Sequence, residues 1–228
     1  MGYHCAMPSW NIHMAHAQRL LEREGSAALG IRDEAAFLFG NVLPDVYVGF
    51  VVPDVSRRVP YHDTHLAQRH QIPLPDYDLF WRRHVEPRDQ ASDVTLGAWC
   101  HLACDNVYNS LARKVAAEAG IKPGEELRVR KQADYELFGR TLTATLRLEA
   151  TPEVVAQAAA FPQYGVDEVD VHAAVRAGNE LLEASEAGHI EGTPAYDLFR
   201  AEQFDEAFEA AHRLMADTLA HAHSDAHF

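Results

Sequence analysis

Apolar residues recur along this chain at the three- and four-residue intervals of helix faces, with no run that alternates apolar and polar and no Asn-Gly hairpin signal. The pattern predicts an all-α fold. A first helix is expected over 11–24, with Ile12, Leu20 and Leu21 among its apolar positions and Gly25 as its stop. A second begins near Asp33 and closes at Gly40. Residues 41–45 are then expected to turn, because Pro44 disfavours helical geometry at Leu43, which places Asp45 on a rigid corner rather than in a helix. Prolines 53, 60, 73 and 75 read as loop interrupted by a short helix over 62–70, and a further helix is expected over 76–85.

The longest helix is predicted to start at Ser92 or Asp93, both good N-caps, and to run to Ala119, where Gly120 and Pro123 end it. Trp99, Leu102, Val107 and Leu111 supply its interior positions. Helices over 131–149, 152–160, 166–187, 194–200 and 203–221 complete the set, the second of these opened by Thr151-Pro152-Glu153. The histidine-biased end, H-A-H-S-D-A-H-F, is expected to fray. No internal repeat and no Gly/Ser linker divides the 228 residues, so one domain is expected over 1–228.

Composition narrows the function. With 47% hydrophobic and 24% charged residues the chain is an ordinary globular one, not a disordered or collagen-like one. Its 20 Lys and Arg against 34 Asp and Glu leave a charge of −14, which argues against gripping duplex nucleic acid through phosphate contacts. The start lacks the cationic and apolar runs of a signal peptide, and no stretch is apolar enough to span a membrane, so a cytoplasmic location is expected. The cysteines number three; Cys100 and Cys104, four apart on the long helix, read as reduced core thiols.

The candidate chemistry begins with His101 and Asp105. A spacing of four stacks both on one helix face, as a helix presents two ligands to one metal ion, or equally as a buried His-Asp hydrogen bond. Gly97, one turn earlier, leaves room for another backbone or a metal to come close. Asp45 in G-N-V-L-P-D, His65 in Y-H-D-T-H-L and His13 in W-N-I-H-M-A raise the total to three His and two Asp, enough for a carboxylate-bridged two-metal site.

In that order, W-N-I-H-M-A, G-N-V-L-P-D, T-H-L and G-A-W-C-H-L-A-C-D make residues 7–110 resemble the bacterial zinc-dependent phospholipase C family, distantly related to the single-strand-specific zinc nucleases. The resemblance implies an all-α domain with a zinc cluster between helices. It implies that Asp45, His65, His101 and Asp105 hold one zinc and that Asp105 bridges to a second held by His13. It also implies a phosphodiester or phospholipid-like substrate attacked by water that Asp45 orients or deprotonates. The chain departs from the family twice. Trp10 is internal where secreted members begin with a Trp whose amino group and carbonyl bind zinc, a gap that His4 or a start near Met7 would fill. Leu111 replaces a third-zinc histidine, and Arg176 follows His172 where an acidic partner is expected. Two zinc ions at most are therefore anticipated, carried by residues 7–120, with no role assigned to 131–222.

Weaker constellations accompany this one. Arg57 and Arg58 lie between two proposed ligands and offer a bidentate phosphate clamp, or simply a solvated loop. The dipeptide His62-Asp63, with His13 or His16 upstream and Asp105 or Asp134 downstream, imitates the metal-dependent HD phosphohydrolases. His16 reads as packing, while His212, His221, His223 and His227 read as a polar tail able to scavenge metal. A protein that keeps the metal for structure or as a partner scaffold is the alternative outside enzymology.

Overall fold

The computed structural model describes residues 9–87 and 91–225. Among them the chain forms ten helices and no strand: α1 (Trp10–Glu24), α2 (Glu34–Gly40), α3 (Leu43–Val46), α4 (Tyr61–Thr64), α5 (Tyr77–His84), α6 (Asp93–Glu118), α7 (Glu125–Gly139), α8 (Pro152–Ala159), α9 (Glu168–Ala187) and α10 (Ala201–Asp225). The all-α expectation holds, and no described helix is long and apolar enough to cross a membrane.

Helix α6 is the axis. Every residue from Asp93 to Asp105 is buried, so this half of the helix is enclosed on all sides rather than amphipathic. Helices α1, α2, α3, α5, α8 and α10 all pack on it, so elements from both halves of the chain share its surface. Its start is fixed twice: the Ser92 hydroxyl accepts the Thr95 amide, and the Asp93 carboxylate accepts the Arg32 and Asp33 amides that lead into α2. The two helices then close to backbone contact, because a Cβ on Gly40 would lie 2.8 Å from the Gly97 Cα and the reverse holds equally. The space left by Gly97 is thus filled by a second backbone.

Five expectations need correction. Asp45 stands in a helix, α3, and not on a turn; Pro44 is tolerated because in the first helical turn its missing N–H has no partner to lose and no preceding turn meets its ring. The helix expected over 62–70 is confined to Tyr61–Thr64, and Leu66 enters the left-handed region at φ 51°. The helix expected over 131–149 instead occupies Glu125–Gly139. Beyond it the chain forms no helix until α8, and several of its polar groups are taken by side chains: Gln18 accepts the Thr145 and Leu146 amides, and Asn179 bonds both the amide and carbonyl of Leu148. Residues 194–200 form no helix, because the buried Asp134 carboxylate accepts the amides of Asp197, Leu198 and Phe199. Finally, α10 carries helical structure through Asp225, beyond the expected point of fraying.

Candidate metal centre

Each candidate ligand is delivered by a different local rule. His13 lies on the first turns of α1, Asp45 on α3, His65 at the C-cap of α4, and His101 and Asp105 one turn apart on α6. Asp45 is 3% exposed and the other four 0%. Two groups of potential metal donors result, Asp45 with His65 and His101, and His13 with His101 and Asp105; in each the donor atoms lie within 4.8 Å of one another. The five residues read from sequence are the five that converge.

The proton positions are set by the outer partners. The Nδ1 of His101 lies 2.8 Å from the Asn41 carbonyl, and that of His65 lies 3.2 Å from the Tyr61 carbonyl and 2.7 Å from the Thr64 hydroxyl. A carbonyl only accepts, so each Nδ1 carries the hydrogen and each Nε2 offers a lone pair. Burial lowers both imidazoles below their ordinary pKa, and for each a neighbouring histidine adds to the effect. Both rings are neutral near pH 7. Yet their Nε2 atoms are 3.1 Å apart, lone pair against lone pair.

Carboxylate oxygens close the figure. His65 Nε2 is 3.6 Å from Asp45 Oδ1 and 3.5 Å from Asp105 Oδ2; His101 Nε2 is 3.8 Å from Asp45 Oδ2 and 3.7 Å from Asp105 Oδ2. Ligand distances of about 2.0–2.2 Å around a tetrahedral zinc require donor separations of roughly 3.3–3.6 Å. The other Asp105 oxygen, Oδ1, lies 3.3 Å from His13 Nε2, and the His13 ring stacks on His101 at 3.9 Å between centroids. One carboxylate therefore faces both donor groups, as a bridge between two cations would.

Electrostatics point the same way. Burial raises Asp45 and Asp105 to about 6, opposed in both by the nearby His101. Their Oδ1 atoms accept no hydrogen bond. Buried polar atoms without partners cost free energy, and a cation placed among them would satisfy both carboxylates and separate the two lone pairs. The donor set fits a divalent metal ion.

Several partners are not legible in the sequence as such. The Trp10 indole donates to Asp45 Oδ2 at 3.1 Å, and the Tyr61 hydroxyl donates to Asp105 Oδ2 at 3.2 Å while its ring stacks on His65. Tyr61 stands four residues before His65, a spacing that hints at the contact. The role of Asn41 is carried by its backbone carbonyl, to which no side-chain pattern points. A cavity of about 680 Å³ adjoins the centre, lined among others by Trp10, Asp45, Phe50, Gln132, Arg140 and Glu180. Of the five candidate ligands, Asp45 alone lines it, and α7 and α9 supply much of its wall.

The remaining candidates lie elsewhere. Arg58 is engaged by the carbonyls of Val48, Gly49 and Pro53, and Arg57 bonds the Gly165 carbonyl and covers the Tyr47 ring, so both guanidinium groups brace the loop. His62 pairs with Asp63 at 3.3 Å, their side chains 31% and 58% exposed, outside the buried donor groups. Asp134 is committed to the backbone amides of 197–199. His16 bonds the Tyr108 hydroxyl and stacks on Phe208. Cys100 and Cys104 are buried free thiols. His212 is not tail but core, bonded to Glu24 at 3.1 Å. His4, Met7 and His227 lie outside the described residues. No protein-family model, no curated protein and no solved structure matches this chain.

Proposed function

We propose that the protein is a zinc-dependent phosphodiester hydrolase of the phospholipase C type. The observation that carries the reading is the convergence of two neutral imidazole lone pairs and two carboxylates in a fully buried volume. In it Asp45, His65, His101 and Asp105 would hold one ion, and Asp105 with His13 would hold a second. Two zinc ions in such a site supply charge neutralisation for a phosphodiester and acidify water near neutral pH.

The chain's own groups do the rest. His65 and His101 are kept in the ligating tautomer by the carbonyls of Tyr61 and Asn41. Asp45 lines the cavity, so it is the candidate ligand that an attacking water in the cavity would meet and that would orient it. Local positive charge comes from the ions, since Arg57 and Arg58 are occupied by the backbone. In this reading the ions would let a chain of net charge −14 handle an anionic substrate. Cytoplasmic residence, which the buried free thiols suit, belongs to the same proposal.

The test is turnover of chromogenic phosphodiesters and phosphomonoesters by the zinc-loaded protein, with and without chelator. Chelator-sensitive diester hydrolysis is expected. Monoester turnover alone would favour an HD-type phosphohydrolase, and bound zinc without any turnover would make the metal structural.

A further inference from the structure

The helices after α6 have no role in the ligand set, yet they govern one of its members. Trp10 is the first residue of α1 and is 1% exposed. Its indole N–H, a donor with no accepting capacity, is spent on Asp45 Oδ2 at 3.1 Å. The other Asp45 oxygen, Oδ1, accepts no hydrogen bond and lies 3.6 Å from His65 Nε2. Oδ2, which also lies 3.8 Å from His101 Nε2, is thus the oxygen already held by the protein, and Oδ1 is the one left at the centre without a hydrogen bond.

The far edge of the same indole rests on α9. A Cβ on Gly178 would lie 3.2 Å and 3.3 Å from the Trp10 Cε3 and Cζ3 atoms, closer than the ring tolerates without moving, and it would also collide with Leu148. Seven residues on, along the same face of α9, the Ser185 hydroxyl accepts the Asn11 side-chain amide at 2.9 Å. A Cβ on Gly139, at the end of α7, would approach within 2.9 Å of Asn11 Cγ. The first turn of α1 is therefore seated between α9 and α7, and Gly178 sets how deep the indole sits.

We infer that Trp10 is a positioning residue that fixes Asp45 to ligate through Oδ1, and that the glycine face of α9 holds Trp10 in place to do so. This rests on the proposed metal centre. A Trp10 that served only as core filling would need its ring but not its N–H, and the two roles separate on that atom. In metal sites generally, removing an outer hydrogen-bond partner of a ligand weakens metal binding by about 10–100-fold.

The experiment compares the full-length wild type with Trp10→Phe and with a protein carrying 3-benzothienylalanine at position 10, which keeps the shape of indole but has no N–H. Gly178→Ala is the third variant. Each is stripped of metal and titrated with cobalt(II), reading affinity by chelator competition and coordination by the visible spectrum. Both Trp10 replacements are expected to bind cobalt about 10–100-fold more weakly, with a changed spectrum. Gly178→Ala should move the same way by less. The benzothienyl protein preserves the packing, so it remains informative should the Phe variant fail to fold. Wild-type affinity and spectrum in that protein would overturn the inference alone. A wild type that takes up no cobalt would overturn the metal reading itself, and the inference with it.

Discussion

Two places in this molecule carry a histidine beside an aspartate, and the fold treats them in opposite ways. His62 and Asp63 are sequence neighbours at a helix end, partly open to solvent, and pair with each other at 3.3 Å. His101 and Asp105 are four apart on a helix enclosed on all sides, both 0% exposed, and meet three further candidate ligands from other elements. Water can satisfy the first pair. His101 and Asp105 have no solvent-exposed surface, and around them carboxylates rise to about 6 and imidazoles fall, leaving lone pairs and carboxylate oxygens facing one another. The same residue types become a candidate metal centre only where desolvation and convergence combine.

The contrast breaks most sharply at the bridging carboxylate. Asp105→Asn should abolish binding at both donor groups and remove chelator-sensitive hydrolysis, whereas Asp63→Asn should change neither; metal titration of both variants decides it. Chelation of the wild type should lower its melting temperature. An ion at about 100 times its dissociation constant adds ~2.7 kcal/mol, which for a chain of this size is roughly 5–10 °C by calorimetry. Asp105→Asn should start from the lowered value and not respond to chelator.

The pH dependence sharpens the same comparison. Metal uptake requires ionised Asp45 and Asp105, which protonate as pH falls through about 6. Affinity should therefore drop below pH 6 by about tenfold per pH unit for each proton displaced. Stability of the metal-free fold should change much less, because two linkages oppose. Between 3.8 and about 6 the native carboxylates hold protons that the unfolded chain has released, which favours the fold toward lower pH. Below 6.5 the unfolded chain protonates His65 and His101 while the native rings, their pKa lowered, resist it, which favours the fold toward higher pH. Titration of metal affinity and of denaturation midpoint over about pH 5–8 compares the two.

Smaller effects test the scaffold. Gly97→Ala forces α6 and α2 apart one turn from His101 and beside the Asn41 amide, so it should cost about 1–3 kcal/mol in chemical denaturation and loosen the His101–Asn41 bond. His62→Ala, on the partly exposed pair, should stay within about 0.5 kcal/mol of wild type and retain metal. A loss of metal there would restore the HD-type assignment.

The difference between the pairs also explains what a sequence can and cannot convey. His101 and Asp105 are legible because helical spacing fixes their common face, and His13, Asp45 and His65 only through the family resemblance carried by W-N-I-H-M-A, G-N-V-L-P-D and T-H-L. Helix α6 and its Ser92 cap follow from local chemistry alone. At Asp45 the local weight of Pro44 against helix argues for a turn, whereas in a first helical turn that penalty vanishes. The irregular stretch after α7 is hidden for a different reason: its backbone is bonded by Gln18 and Asn179, far away in the chain, so no local pattern records it. The engagement of Arg57 and Arg58 by backbone carbonyls, and the anchoring of Trp10 on α9, are likewise tertiary facts. Local rules place the candidate ligands on their elements; long-range contacts decide which atoms they offer.

The central claim is that this buried set holds metal, and elemental analysis of the wild type purified without chelator tests it most directly. One or two zinc ions per chain are expected, falling when His101 is replaced by Ala. A well-folded wild type that contains no metal and takes up none on addition of zinc would contradict the account.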